Sequence, residues 1–365
     1  MKLKQITSFL EEIAPRAYQE SYDNSGLICG NSEMEITKAI ICLDAIEEVL
    51  DEAISKGANL VIAHHPIVFS GLKTLTGKNY VERVIIKAIK NDIAIYAIHT
   101  NLDNVLAGVN AKMAEKIGLE NTRILAPKTQ VLSKLVYFTP TKDAENVKNA
   151  LFEAGAGNIG NYSEASFNIE GKGTFKGNEN TNPVVGEKNR REEVKEIRTE
   201  IIFPSYLQHK LLAVLKQNHP YEEVAYDVYK IENQNQEIGS GMIGELEKAV
   251  PVEKFLKHIK NTFNCGCIRH TKLVKKEIKT VAICGGSGSF LLRKAKAQKA
   301  DVFITGDFKY HEFFDAENDI IIADIGHFES EQYTNELLFD KLTKKFPTFA
   351  FLLTGVDTNP VEYFT

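Results

Sequence analysis

The stretch Leu60-Val-Ile-Ala-His-His-Pro-Ile-Val-Phe69 decides how the chain folds. Its apolar run from Leu60 to Ala63 has the length of a buried strand. Two imidazoles, His64 and His65, close that run, and Pro66 stops a helix from continuing through them. Polar side chains at the end of a buried strand sit where an open α/β sheet builds its ligand crevice. The alternative is a core histidine beside a surface histidine, which holds only if no partner ligands converge from elsewhere.

Outward from this strand, apolar strands alternate with helices. Upstream are a helix over residues 3–13, a strand from Thr37 to Asp44, and a helix from Ile46 to Lys56 with Gly57 as its C-cap. Downstream are a helix from Tyr80 to Asn91, a strand from Ile93 to Ile98, and a helix from Asn110 to Ile117. The alternation resumes after Ser240, with strands at Thr280–Cys284, Asp301–Thr305, Asp319–Ala323 and Thr348–Leu353. It predicts an α/β protein: two similar lobes with mainly parallel sheets, residues 1–126 and 237–365, forming one core. Between them, residues 127–236 read strand–helix–strands–strand–helix–strand, the order of an inserted ferredoxin-like or PII-like α+β domain.

The composition narrows the class. A chain of 365 residues exceeds one ordinary domain. With 43% hydrophobic and 25% charged residues it reads as globular, and a net charge of −5 disfavours nucleic acid or an anionic membrane as partner. No apolar run is long enough to span a bilayer, and Glu11 and Glu12 interrupt the N-terminal stretch that a secretory signal would need. Five scattered cysteines make no disulfide framework, so a reducing cytoplasm is the expected setting.

Polar groups recur at the strand ends: Asp44, His64 with His65, His99 with Asp103, Gly285 to Ser289, Asp307 with Lys309 and His311, and Asp324 with His327 and Glu331. His327 and Glu331 are four apart at a helix start and share one face. With His64, His65 and Asp103 they offer mixed N/O ligation, which suits Zn, Mn, Fe or Ni better than Ca or Mg. Five ligands exceed a closed tetrahedral site and fit two metals sharing a carboxylate. Each piece has a plainer reading: a surface helix pair for His327 and Glu331, a turn or N-cap for Asp103. Gly285-Gly-Ser-Gly-Ser289 fits either a phosphate cradle or a tight turn. Lys309 and His311 can neutralise phosphate or move protons, or lie in a solvated loop. His99 is a proton shuttle or a group that orients Asp103. Cys265 and Cys267 lack a second cysteine pair and read as ordinary thiols.

His64-His65-Pro66 with Phe69, His99-Thr-Asn-Leu-Asp103, Thr305-Gly-Asp307 with His311, and Asp324-Ile-Gly-His327 with Glu331 resemble the motifs of the NIF-three-like family, also called GTP cyclohydrolase I type 2 homologues. Tyr22-Asp-Asn-Ser-Gly-Leu is similar to a family motif whose first position is often Trp. His219-Pro-Tyr-Glu resembles the PII-like or CutA-like middle domain of longer bacterial members. The resemblance implies two divalent metal ions per chain, zinc first, held by His64, His65, Asp103, His327 and Glu331, with Glu331 bridging. It also implies a toroidal homohexamer. The expected function is metal-dependent hydrolysis like that of GTP cyclohydrolase, opening a purine nucleotide ring, with His311, His99 and Lys309 as catalytic candidates. The rivals are hydrolysis of another phosphorylated metabolite and a non-enzymatic metal-binding or regulatory scaffold.

Overall fold

The computed structural model describes residues 1–364. It divides into two compact units, Met1–Ala126 with Ile238–Thr365, and Pro127–Glu237.

The first unit is a mixed α/β body with two sheets. One has the strand order Gly26–Cys29, Ala94–Ala97, Leu60–Ala63, Lys38–Cys42, Ala350–Leu353. Its last four strands are parallel, and Gly26–Cys29 runs antiparallel along Ala94–Ala97. Leu60–Ala63 is fully buried, as expected for a central strand covered on both faces. One face packs under Leu3, Ile6 and Leu10 of the helix Leu3–Ile13, the other under Val49, Leu50 and Ala53 of Glu47–Lys56. Gly57 ends the second helix at φ +65°, a left-handed cap that suits glycine.

The second sheet has the order Arg269–His270, Ile321–Asp324, Val302–Gly306, Glu277–Ser287, Asn235–Pro251, Glu120–Lys128. Its middle strands, Glu277–Ser287, Val302–Gly306 and Ile321–Asp324, are parallel. Phe255, Ile259 and Phe263 cover one face, and Leu291, Leu292, Phe308 and Ala316 the other.

One segment goes elsewhere than its place in the sequence suggests. Ala350–Leu353 joins the first sheet beside Lys38–Cys42, not the second. The helix before it, Thr334–Lys345, sets Leu338 and Leu342 against Leu3, Ile6 and Phe351. Its apolar side joins the cluster that Leu3–Ile13 forms over one face of the first sheet, so burial carries the chain back to where it began.

The second unit is strand Leu132–Pro140, helix Ala144–Glu153, strands Ser166–Lys176 and Arg191–Pro204, helix Gln208–Asn218 and strand Tyr226–Ile231. The four strands form an antiparallel sheet in the order Ser166–Lys176, Arg191–Pro204, Leu132–Pro140, Tyr226–Ile231, a split βαβ arrangement. Leu135, Tyr137, Ile201 and Phe203 face its helices, which contribute Val147, Leu151, Leu211 and Leu215. Among the described residues no helix is long and apolar enough to cross a membrane.

Candidate metal centre

In the first unit the parallel strands of both sheets direct their C-terminal ends at one cluster. Leu60–Ala63 delivers His64 and His65, Lys38–Cys42 delivers Asp44, and Ala94–Ala97 delivers His99 and the turn Thr100–Asp103. From the second sheet, Ile321–Asp324 leads through Gly326, at φ +96°, into the short helix His327–Glu331. Ligating atoms of His64, His65 and His99, of His65, His327 and Glu331, and of His64, Asp103 and Glu331 lie within 4.8 Å of one another in each group.

The histidines are turned by their outer nitrogens. His64 Nδ1 donates to the Ile98 carbonyl at 2.8 Å, so in the neutral ring Nε2 carries the lone pair. His65 Nδ1 meets Asp44 Oδ1 at 2.8 Å, His327 Nδ1 meets Asp307 Oδ2 at 2.6 Å, and His99 Nδ1 meets Asp23 Oδ1 at 2.7 Å. Partners of this kind fix ring orientation and raise ligand basicity at metal-bearing histidines.

The inner nitrogens converge on a single carboxylate oxygen. Glu331 Oε2 lies 2.9 Å from His65 Nε2, 3.1 Å from His327 Nε2 and 3.7 Å from His64 Nε2. Asp103 Oδ1 is 3.6 Å from His64 Nε2, and the Nε2 atoms of His65 and His327 are 3.3 Å apart. His64 Nε2 and Asp103 Oδ1 are buried without a hydrogen-bond partner. Two such orphans in one pocket are costly unless a cation joins them. Nitrogen ligands about 2.0–2.1 Å from one zinc stand about 3.3 Å apart at tetrahedral angles, and these spacings are of that size. The donor set therefore fits divalent metal.

Proton affinities describe the same crowding of charge. Burial opposes protonation of His65, but its bonds to Asp44 and Glu331 outweigh this and lift it to about 10. His327 rises to about 11 against burial, through the charge of Glu331 and the bond with Asp307. Burial and the charge of Glu331 push Asp103 up to about 8. Glu331 falls well below the usual range despite its burial, because His327 faces it. The cluster holds protons tightly where a cation would replace them.

Among the residues singled out in the sequence, His64, His65, Asp103, His327 and Glu331 come together, and His99 joins them beside His64 and His65. His99 bonds Asp23, not Asp103, so it does not orient that carboxylate through Nδ1. Lys309 and His311 are exposed and do not line the cavity described below. His311 packs on its neighbours Tyr310 and Phe314 instead. Part of the glycine run is already committed to the fold. The N–H groups of Gly285 and Gly286 already donate to Asn110 Oδ1 and Ser330 Oγ. A Cβ on Gly286, whose φ is +63°, would lie 2.4 Å from Glu331 Oε1, so the bare backbone makes room for the buried carboxylate.

The orienting carboxylates Asp23, Asp44 and Asp307 are absent from the five-ligand set read from the sequence. Two carried a signal there, since Asp44 and Asp307 each follow a strand. Asp23 is held by Ser25 Oγ, Thr100 N and Thr100 Oγ1, and its carboxyl stays far below the usual range: burial opposes this, and His99 outweighs it. Over the cluster lies a cavity of about 910 Å³, walled by His65, His99, Asp103, His327 and Glu331 and by the aromatic rings of Tyr22, Phe69 and Phe290. The Tyr22 and Phe69 rings stand 6.1 Å apart.

Comparison with known proteins places this architecture. The model of the Duf34/NIF3 (NGG1p interacting factor 3) family matches residues 1–360. A Bacillus subtilis protein named GTP cyclohydrolase 1 type 2 homolog is 38% identical over 367 residues, covering 99% of this chain and 98% of its own. A protein of the same name from Halalkalibacterium halodurans is 39% identical over 341 residues, covering 93% and 91%. The crystal structure of a Bacillus cereus protein related to NIF3 superposes with a TM-score of 0.85 at 38% identity, covering 100% of this chain and 99% of that one. With the match running almost end to end, the chain belongs to the Duf34/NIF3 family.

Proposed function

We propose that the cluster holds two divalent metal ions, zinc first, with His64, His65, Asp103, His327 and Glu331 as ligands and Glu331 shared, and that the protein is a metal-dependent hydrolase acting on a purine nucleotide as GTP cyclohydrolase does. The observation that carries this is the convergence of three Nε2 atoms on Glu331 Oε2, beside the orphaned His64 Nε2 and Asp103 Oδ1. The relatives' name supports the substrate class.

A bound metal pair supplies a Lewis acid and a water of lowered pKa. The chain's own residues do the rest. Asp44 and Asp307 keep the His65 and His327 rings aimed inward. His99, steadied by Asp23, is the group in this cluster outside the ligand set and takes up a proton from a reacting water at its free ring nitrogen. Tyr22 and Phe69, at the cavity wall, offer ring faces to a planar base. A cytoplasmic setting, a ring-shaped homohexamer and a PII-like insert belong to the same proposal: the first rests on the five scattered cysteines, the second on the family resemblance, and the third on the order of elements together with that resemblance.

The test couples elemental analysis of the purified protein to turnover of GTP. Two equivalents of metal per chain and hydrolysis lost in His65→Ala are expected. Metal-loaded protein that leaves GTP intact overturns the substrate, and protein that retains no divalent metal overturns the centre itself.

A further inference from the structure

The second unit contains its own cavity, of about 440 Å³, within the size range of small-molecule sites. We infer that this cavity binds a small organic cation, its positive group received by Glu196 among the aromatic rings of Phe138, Phe175 and Tyr221.

The walls are mostly apolar: those three rings with Pro183, Val184 and Val185. Among them stands the Glu196 carboxylate. Its Oε1 accepts a hydrogen bond from Tyr221 Oη at 3.0 Å, and it forms no ion pair with any described Lys, Arg or His. The adjacent strand is shaped to receive it. A Cβ on Gly173 would lie 2.0 Å from Glu196 Oε2, so only a glycine lets the carboxylate rest there. Tyr221 is fixed from below: its N–H donates to His219 Nδ1 at 3.1 Å and its ring meets the imidazole edge-on at 5.1 Å. The Phe175 ring stands 6.0 Å from that of Tyr221.

A carboxylate without a counter-ion, set among aromatic rings whose faces carry negative potential, attracts a cation and repels an anion. Glu222 and Glu223 add to this at the wall, and Lys176 alone opposes it. A neutral apolar ligand would fill the cavity only by stripping water from Glu196 without compensation. An ammonium or amidinium group replaces that water with a charge-assisted bond and lays its carbon frame on the rings.

The full-length protein is titrated calorimetrically with choline and benzamidine, and with their neutral counterparts 3,3-dimethylbutanol and benzamide. Saturable binding of at least one cation is expected, about tenfold or more tighter than its neutral counterpart. Glu196→Gln, which keeps an acceptor for Tyr221, should weaken that binding about tenfold or more. Lys176→Ala should strengthen it, which guards against loss through misfolding. Equal binding of cation and neutral counterpart, unchanged binding in Glu196→Gln, or no saturable binding of either cation up to about 10 mM would overturn the assignment.

Discussion

His65 and His219 each precede a proline, in different units of the chain, and they end in opposite situations. His219 uses both ring nitrogens on its own unit: Nε2 donates to the Phe138 carbonyl at 2.8 Å, and Nδ1 accepts from Tyr221 N at 3.1 Å. His65 uses one nitrogen on Asp44 and turns the other toward Glu331 and His327, two further groups that compete for the same space. The same dipeptide is thus a finished turn in one place and an open valence in the other. What separates a structural histidine from a ligand is whether its second nitrogen already has a partner that suits it.

The contrast breaks most severely at His64. His64→Ala removes the nitrogen that is buried without a partner, and the protein should lose most of its bound metal, as read by elemental analysis. Thermal unfolding should shift down with it, since a ligand at a hundredfold excess over its dissociation constant stabilises by about 2.7 kcal/mol. Unchanged metal content in this variant would mean that the cluster is not a metal centre.

A smaller effect is expected at the orienting carboxylates. Asp307→Asn keeps the size of the side chain but removes the charge facing His327 Nδ1. Metal affinity should fall about 10–100-fold, measured against a competing chelator, with the fold intact by circular dichroism. An affinity equal to that of the parent protein would show that the ring is held without Asp307.

The smallest effect belongs to His219. His219→Ala orphans the Phe138 carbonyl and the Tyr221 N–H, and should destabilise the insert by about 1–3 kcal/mol with metal content unchanged. A pH signature separates this from simple loss of packing. Burial holds the His219 pKa below its ordinary value, so the folded state resists its protonation. The stabilisation is complete above the unfolded pKa of about 6.5 and is lost as pH falls below it toward the folded value. Protection factors of the amides in Leu132–Pro140, which remove the intrinsic pH dependence of exchange, should fall over that window in the parent protein, and His219→Ala should lack that component. Identical pH dependence in both would remove His219 as its origin.

Much of the architecture was legible along the chain because it depends on local pattern. The spacing of Leu3, Ile6 and Leu10 marks a helix, the run Leu60–Ala63 a buried strand, and Gly57 a left-handed cap. The grouping of His64, His65, Asp103, His327 and Glu331 was anticipated from strand ends and motif resemblance. The glycines at 285 and 286 were harder, because a turn, a phosphate cradle and a seat for a carboxylate all ask for the same small residue. The exposed positions of Lys309 and His311 were equally hidden, since a polar residue after a strand reads alike whether it faces a crevice or water.

By itself, then, the sequence determined the element types, the alternation that builds parallel sheets, and the stock of imidazoles and carboxylates at strand ends. These follow from side-chain period and backbone preference over a few residues. Only the tertiary structure decided which ring nitrogens are occupied, which carboxylates do the holding, and that Ala350–Leu353 closes onto the first sheet. Those are contacts between residues as much as 312 positions apart, as Ala350 and Lys38 are (350 − 38 = 312). Local pattern carries no record of them; burial of both sheet faces and satisfaction of buried polar groups select them together.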